Sequence, residues 1–218
     1  MKKLLFLFLA LSTFACKTEP QMPENFDYGS IENSVYTNNY FNMRFPFDES
    51  WDVQSKDEIQ NIMDSGEDII TDDRIKRAIK ASEVNTANLF VAYFYELGSV
   101  FTYNPSIIIV AENIKMFPQV TRGSDYLVEA KKILKGTSLG YEFEMGTEPK
   151  IIDGKSFDIM NVTGNYMGNQ FSQKYMSTIT KGFSLSFILS YNSDDQLNQL
   201  MEAINKMSFT DGKSKKKN

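Results

Sequence analysis

A single α+β domain on a central, mostly antiparallel β-sheet flanked by helices is the fold class this sequence predicts, and three stretches of its C-terminal third carry the prediction. Phe183, Leu185, Phe187, Leu189 and Tyr191 alternate with Ser184, Ser186, Ile188 and Ser190, a period of two that an extended strand turns into one apolar face. Upstream, Asp153-Gly154 separates two β-prone runs, 149–152 and 155–162, and that dipeptide readily takes the positive φ angles of a two-residue hairpin turn. Downstream, Ser193 and Gln196 form a helix-start pattern, and Leu197, Leu200, Met201 and Ile204 follow on one helical stripe. Consecutive strands with no long crossovers between them favour an antiparallel sheet over a doubly wound one.

The earlier elements follow from the same periodicities. Met43, Phe45 and Phe47 alternate with Asn42, Arg44 and Pro46, a strand with one buried face; Pro46 lacks an N–H and so belongs at a strand end or edge. Ser55 and Glu58 form a capping box, which predicts a helix with Ile59, Ile62 and Met63 on its inner face and Gly66 closing it. A second helix is expected over 72–81, with Ile75, Ala78 and Ile79 on its apolar side. Residues 89–95 and 107–111 read as strands, the second apolar on both faces as a central, helix-covered strand should be. Leu127, Ala130, Lys131 and Leu134 share one face of a helix over 124–134, three of the four apolar, with Gly136 as its C-cap. Residues 171–180 supply another strand before the Lys181-Gly182 turn. No repeat or low-complexity linker divides the chain, so one domain is expected over 31–210.

Composition removes whole classes of chemistry. Of 218 residues, 42% are apolar and 13% aromatic, enough for a substantial core. The net charge is −5, and a net acidic protein has no general attraction to nucleic acid. The basic cluster at 213–217 lies in an expected solvated tail, 211–218. There is no histidine, and Cys16 is the only cysteine. A Ser-His-Asp triad, a Cys-His pair, a disulfide within the chain and a Cys/His zinc site are thereby excluded. Neither GxGxxG nor GxxxxGK[ST] occurs, and no DxDxDG calcium loop, so no cofactor or metal is expected.

Carboxylates remain as candidates for acid–base work. Asp48, Glu49 and Asp52 surround Trp51, where an apolar neighbour can raise a carboxyl pKa; a polar turn around a core tryptophan is the plainer and favoured reading. Asp72-Asp73 and Asp194-Asp195 read as first-turn acids that suit the helix dipole. Tyr36, Tyr40 and Phe41 offer a recognition surface in principle, but their spacing favours packing in the core or at a strand edge. Residues 164–169, GNYMGN, form a glycine-flanked segment expected to expose Tyr166 and Met167, either as a recognition loop or, as favoured, a simple hairpin connection.

The N-terminus, MKKLLFLFLALSTFAC, has two lysines, an apolar run over 4–11 too short to span a bilayer, and a small Ala15 before the lone cysteine. This resembles a bacterial lipobox, with Thr13 in place of the usual leucine. The resemblance implies removal of residues 1–15 as a signal peptide and attachment of diacylglycerol and a further acyl chain to Cys16, an anchor of two or more chains that holds durably. Loss of Lys2 and Lys3 takes the side-chain charge from −5 to −7. Lys17 replaces the aspartate that usually retains such proteins in the inner membrane, so in a two-membrane cell the outer membrane is favoured. Residues 16–30, with Pro20 and Pro23 and no apolar period, are expected to form a flexible tether reaching at most about 45 Å.

Two further stretches, YTNNYFNMRFPFDESW (36–51) and FSLSFILSYNSDDQLNQLMEAINKMSF (183–209), resemble the bacterial lipoproteins and secreted proteins of PsbP-like fold. That superfamily includes the extrinsic PsbP subunit of photosystem II and a Ran-binding nuclear import factor. The resemblance implies an α/β/α sandwich, a central antiparallel sheet with helices on both faces. Asn42 stands where the group's opening pattern has glycine, and four residues separate Pro46 from Trp51 rather than two or three. The group shares no catalytic motif to carry over, so the expected role is a non-catalytic, membrane-anchored accessory or binding module for an envelope protein partner. The alternatives are a carboxylate-dependent hydrolase of envelope glycans or lipids, and a carrier of a small ligand or lipid.

Overall fold

A computed structural model describes residues 22–66, 72–99, 103–166 and 168–209. Cys16 and the rest of the signal, the first part of the expected tether, Met167 and the basic tail lie outside the described residues, as do the side chains of Met63, Ile75, Ala78, Ile79 and Tyr166.

Three short strands open the body: β1 (Ser30–Glu32), β2 (Val35–Asn38) and β3 (Met43–Pro46) pair antiparallel in that order. The β1–β2 turn needs positive φ at both Asn33 and Ser34, the geometry that matches a hairpin's twist. Pro46 ends β3, where its missing N–H costs nothing. After a two-residue strand β4 (Asp52–Val53), helix α1 (Lys56–Gly66) starts on the expected capping box. The Ser55 N–H donates to Glu58 Oε2 at 2.7 Å and the Glu58 N–H to Ser55 Oγ at 3.3 Å. Ile59 and Ile62 are half-buried. Helix α2 (Asp73–Ser82) and a 3-10 turn (Glu83–Asn85) lead into β5 (Thr86–Tyr93) and β6 (Ser106–Asn113).

Helix α3 (Gly123–Leu134) is followed by β7 (Glu142–Met145), β8 (Lys150–Ile152), β9 (Lys155–Tyr166), β10 (Asn169–Thr180), β11 (Phe183–Tyr191) and α4 (Asp194–Asn205). The large sheet has eight strands, in the order β4-β5-β6-β11-β10-β9-β7, with β8 on the edge of β9, and its described pairings are all antiparallel. Asp153 and Gly154, with φ of 43° and 80°, make the β8–β9 turn, and Lys181 and Gly182 repeat that geometry between β10 and β11.

The alternation in β11 divides the molecule into layers. Phe183, Leu185, Phe187 and Leu189 face a core shared with Ile107 and Ile109 of β6, Tyr36, Met43 and Phe45 of the small sheet, and Leu200 and Ile204 of α4. The other face carries α3, whose Leu127, Ala130 and Leu134 pack with Met160, Val162, Tyr175 and Ile188. Burying each such side chain contributes about 1.5–3 kcal/mol before conformational entropy is set against it. A two-bond bridge between Arg44 and Ser208, at 2.8 and 2.9 Å, ties the small sheet to the chain leaving α4.

Four details differ from the sequence expectation. Residues 22–30, read as tether, are folded: Phe26 is buried against Phe41 and Phe183, Tyr36 Oη–H donates to the Tyr28 carbonyl at 2.8 Å, and Asn38 Nδ2 to the Asp27 carbonyl at 2.7 Å. Two prolines masked what is one aromatic anchor. The segment 164–169 is the hairpin connection favoured from the sequence, but tighter than expected: β9 runs to Tyr166 and pairs there with Asn169, where β10 begins, so most of the segment is ladder. Gly164 has Phe171 and Tyr141 so close that a Cβ would lie 2.7–2.9 Å from their rings. Lys135, not Gly136, caps α3, with ordinary right-handed geometry. At α4 only half of the expected box forms: the Gln196 N–H donates to Ser193 Oγ at 3.4 Å, while Gln196 Oε1 accepts from the Asn192 N–H at 2.8 Å.

Candidate functional site

A groove of about 510 Å³ opens between α4 and the loop joining β3 to β4, and it contains the Trp51 cluster singled out in the sequence. Its wall is aromatic because Phe47 continues the inner face of Phe45 one residue past the end of β3, both rings packing on Phe90, and so comes to lie at the rim. Phe47 stacks on Trp51 at 6.5 Å and Trp51 on Phe94 at 5.0 Å, a ladder that fixes the indole with 9% of its surface exposed. The opposite wall is α4 and its cap, where Gln199, Glu202 and Ala203, with Lys206 just past the last turn, lie at helical spacing on one face. Asn33 and Ser34 of the β1–β2 turn close one end.

The three acids around Trp51 are distributed to different tasks. Asp48 accepts from the Ser50 N–H at 2.9 Å and from Ser50 Oγ–H at 2.7 Å; these bonds hold its carboxyl below the usual range, with a smaller contribution from nearby Lys206. It is the polar turn favoured from the sequence. Asp52 points elsewhere, accepting from Gln54 Nε2 at 2.9 Å and from the Leu97 N–H at 3.1 Å, and so pins the loop after β5. Glu49 remains exposed on the groove's rim. Tyr36 and Phe41 are buried and Tyr40 partly so, as core packing requires.

A second polar cluster, which sequence reasoning missed, lies under the first turn of α3. The Ser177, Ser184 and Ser186 hydroxyls, all buried, are linked to one another at 3.0–3.1 Å. Tyr126 Oη–H donates to Glu112 Oε2 at 2.7 Å, and the Ser124 N–H to Asp158 Oδ2 at 2.8 Å, so a carboxylate from the sheet caps the helix. Burial raises the Glu112 carboxyl, partly offset by the Tyr126 bond. The Tyr126 hydroxyl is raised well above its ordinary value, first by burial and then by the Glu112 charge. The serines of β11 were the available signal: polar residues on the second face of a central strand need partners. A hydroxyl–carboxyl constellation can in principle activate a nucleophile, but these serines are closed off by Gly123, which sits directly on the Ser177 carbonyl.

On the same sheet face, toward the other end, Tyr103 Oη bonds Ser190 Oγ and its ring lies over Phe171. Burial pushes Tyr141 beside them up to about 12. Across the sheet, half-buried Lys174 donates to Asn161 Oδ1 at 2.7 Å, and burial lowers its pKa while the charge of Glu144 opposes that. Among the described residues no group of three or more Cys, Asp or Glu is placed to hold a metal ion, and no helix is long and apolar enough to cross a membrane.

No protein-family model matches the sequence, and a search of curated proteins finds no relative. Solved structures do match. A cyanobacterial PsbP from Synechocystis sp. PCC 6803 superposes with a TM-score of 0.50 at 13% identity, covering 84% of this chain and 98% of its own. The α+β, PsbP-like architecture expected from residues 36–51 and 183–209 is therefore the fold this chain adopts. LpqN of Mycobacterium tuberculosis, described as involved in cell envelope biogenesis, gives a TM-score of 0.37 at 14% identity over 78% of this chain and 83% of its own. A Pseudomonas aeruginosa protein of unknown function gives 0.39 at 12% identity over 53% and 80%. Superposition at those last two levels fixes neither a common topology nor a common role.

Proposed function

We propose that this is a lipid-anchored protein of the cell envelope whose folded body is a non-catalytic binding module, and that it engages a protein partner through the groove beside Trp51. The groove is the observation that carries the reading: a stacked aromatic wall faces a helix bearing amide, carboxylate and lysine groups. That set suits an extended peptide. Phe47 and Trp51 receive an apolar side chain, Asn33 and Gln199 offer amide partners to a peptide backbone, and Glu49 and Glu202 favour a neighbouring lysine or arginine.

The lipobox-like N-terminus supports an anchor at Cys16, and Lys17 supports the outer over the inner membrane where a cell has two. The hydrolase reading is less well supported. It needs one carboxyl kept protonated beside an ionised one, whereas Glu112, whose pKa is raised, lies under α3 and does not line the groove. The carrier reading needs an apolar cavity, and this groove is charged along one wall.

The test is a photo-crosslinking amino acid placed at Gln199 in intact cells, with Lys135 on the opposite side of the sheet as control. A discrete adduct from Gln199, absent from Lys135 and lost when Phe47→Ser and Glu202→Lys are combined, is expected. The same adducts from both positions, or none from Gln199, would overturn the proposal.

A further inference from the structure

The end of the large sheet at which the chain enters the body also carries exposed apolar side chains. Strand register places Thr86, Asn113, Thr180 and Phe183 together at that end. Phe26 stacks on Phe183 at 5.4 Å, so the entering segment reaches it. Beside it the Ile114 N–H donates to the Gly182 carbonyl at 3.0 Å, and the Lys115 stem lies against Gly182. The loop over 114–121 is tightened by the Phe117 N–H on the Ile114 carbonyl and the Val120 N–H on the Phe117 carbonyl, at 2.8 and 2.9 Å. Val120 turns inward, but Met116 and Phe117 are left 56% and 42% exposed, and Val84 just before β5 is 50% exposed.

We propose that this end rests on the lipid surface that holds the anchor, with Met116 and Phe117 entering the boundary between headgroups and acyl chains and Lys115 and Lys181 at phosphate level. The inference rests on the anchored reading given above. Six peptide units separate Cys16 from Met22, a span of at most about 20 Å, and the folding of residues 22–30 removes the slack a longer tether would supply. The body is therefore held with its entry end toward the bilayer. Its net charge gives no general attraction to anionic lipid, so contact depends on an apolar tip flanked by lysines, which this loop and the adjacent turn provide. The Asn33–Ser34 turn that closes the Trp51 groove lies at the far end of the small sheet from the 39–42 turn, which packs by Phe183, so the groove stays clear of the membrane.

Acylation would leave a cysteine introduced at Met116 or Phe117 as the sole free thiol of the full-length lipidated chain. Each variant, labelled with an environment-sensitive fluorophore, is placed in phosphatidylethanolamine–phosphatidylglycerol vesicles containing nitroxide-labelled lipid. Asn192→Cys, just past the far end of β11 and about 30 Å from Phe183 along the strand direction, is the reference. Quenching about twofold or more above the reference is expected at both 116 and 117. An acylated chain with 116 and 117 quenched no more than 192 overturns the docking alone. An intact mass showing unmodified Cys16 overturns the anchor and the docking together.

Discussion

Gly123 stands where no larger residue fits. A Cβ there would lie 1.9 Å from the Ser177 carbonyl oxygen, backbone against backbone, so neither partner can swing aside. Alanine normally stabilises a helix over glycine by about 1 kcal/mol. Here the sign reverses, and Gly123→Ala should cost about 3 kcal/mol or more by lifting the first turn of α3 from the serine cluster, measured by urea unfolding. Glu112 gives a second test at this scale, through pH. Burial raises its folded-state pKa above the ordinary 4.5, so in the window between those two values the folded chain holds a proton that the unfolded chain has released. Stability attributable to this group is present below pH 4.5 and lost as pH rises through the raised value. Glu112→Gln keeps an acceptor for Tyr126 and removes the titration, so it should be more stable than the parent at neutral pH and lose that advantage in acid, measured by thermal unfolding across pH.

Among the elements, the hairpins were the most legible because their instructions are local. Asp153-Gly154 specifies its turn within two residues, and no atom lies within 4 Å of a Cβ built on Gly154. Gly154→Ala should therefore cost only the left-handed backbone penalty, about 1–2 kcal/mol, with β8 and β9 still paired, as amide exchange across the ladder would show. Strand β11 was legible through its alternation and α1 through its capping box. Strands β1 and β2 were missed because their turn, Asn33-Ser34, lies among polar residues and β1 is exposed along its length. Strand β7 alternates Glu142, Phe143, Glu144 and Met145, a period-two signal short enough to be passed over. The folded stretch 22–30 was hidden for a different reason: its order comes from Phe183 and Tyr36, distant in sequence, and no local period records that. The Trp51 groove was half legible. The acids and the aromatic were found, but the wall supplied by α4 depends on a contact across some 150 residues of chain, which only the fold reveals.

At the scale of the whole molecule, the eight-stranded sheet presents a different surface at each end and on each face. One end carries the chain entry, the lysines and the exposed Met116–Phe117 tip, while the groove lies away from it between α4 and the small sheet. On the proposed reading a lipid holds the body by that end while the groove engages a partner, and the docked orientation depends on the anchor. Metabolic labelling with palmitate, comparing the parent chain with Cys16→Ser, tests it most directly. Label in the parent, none in the variant, and release of the variant from the membrane fraction are expected. A parent chain that takes up no palmitate, or a variant that remains labelled, would contradict it.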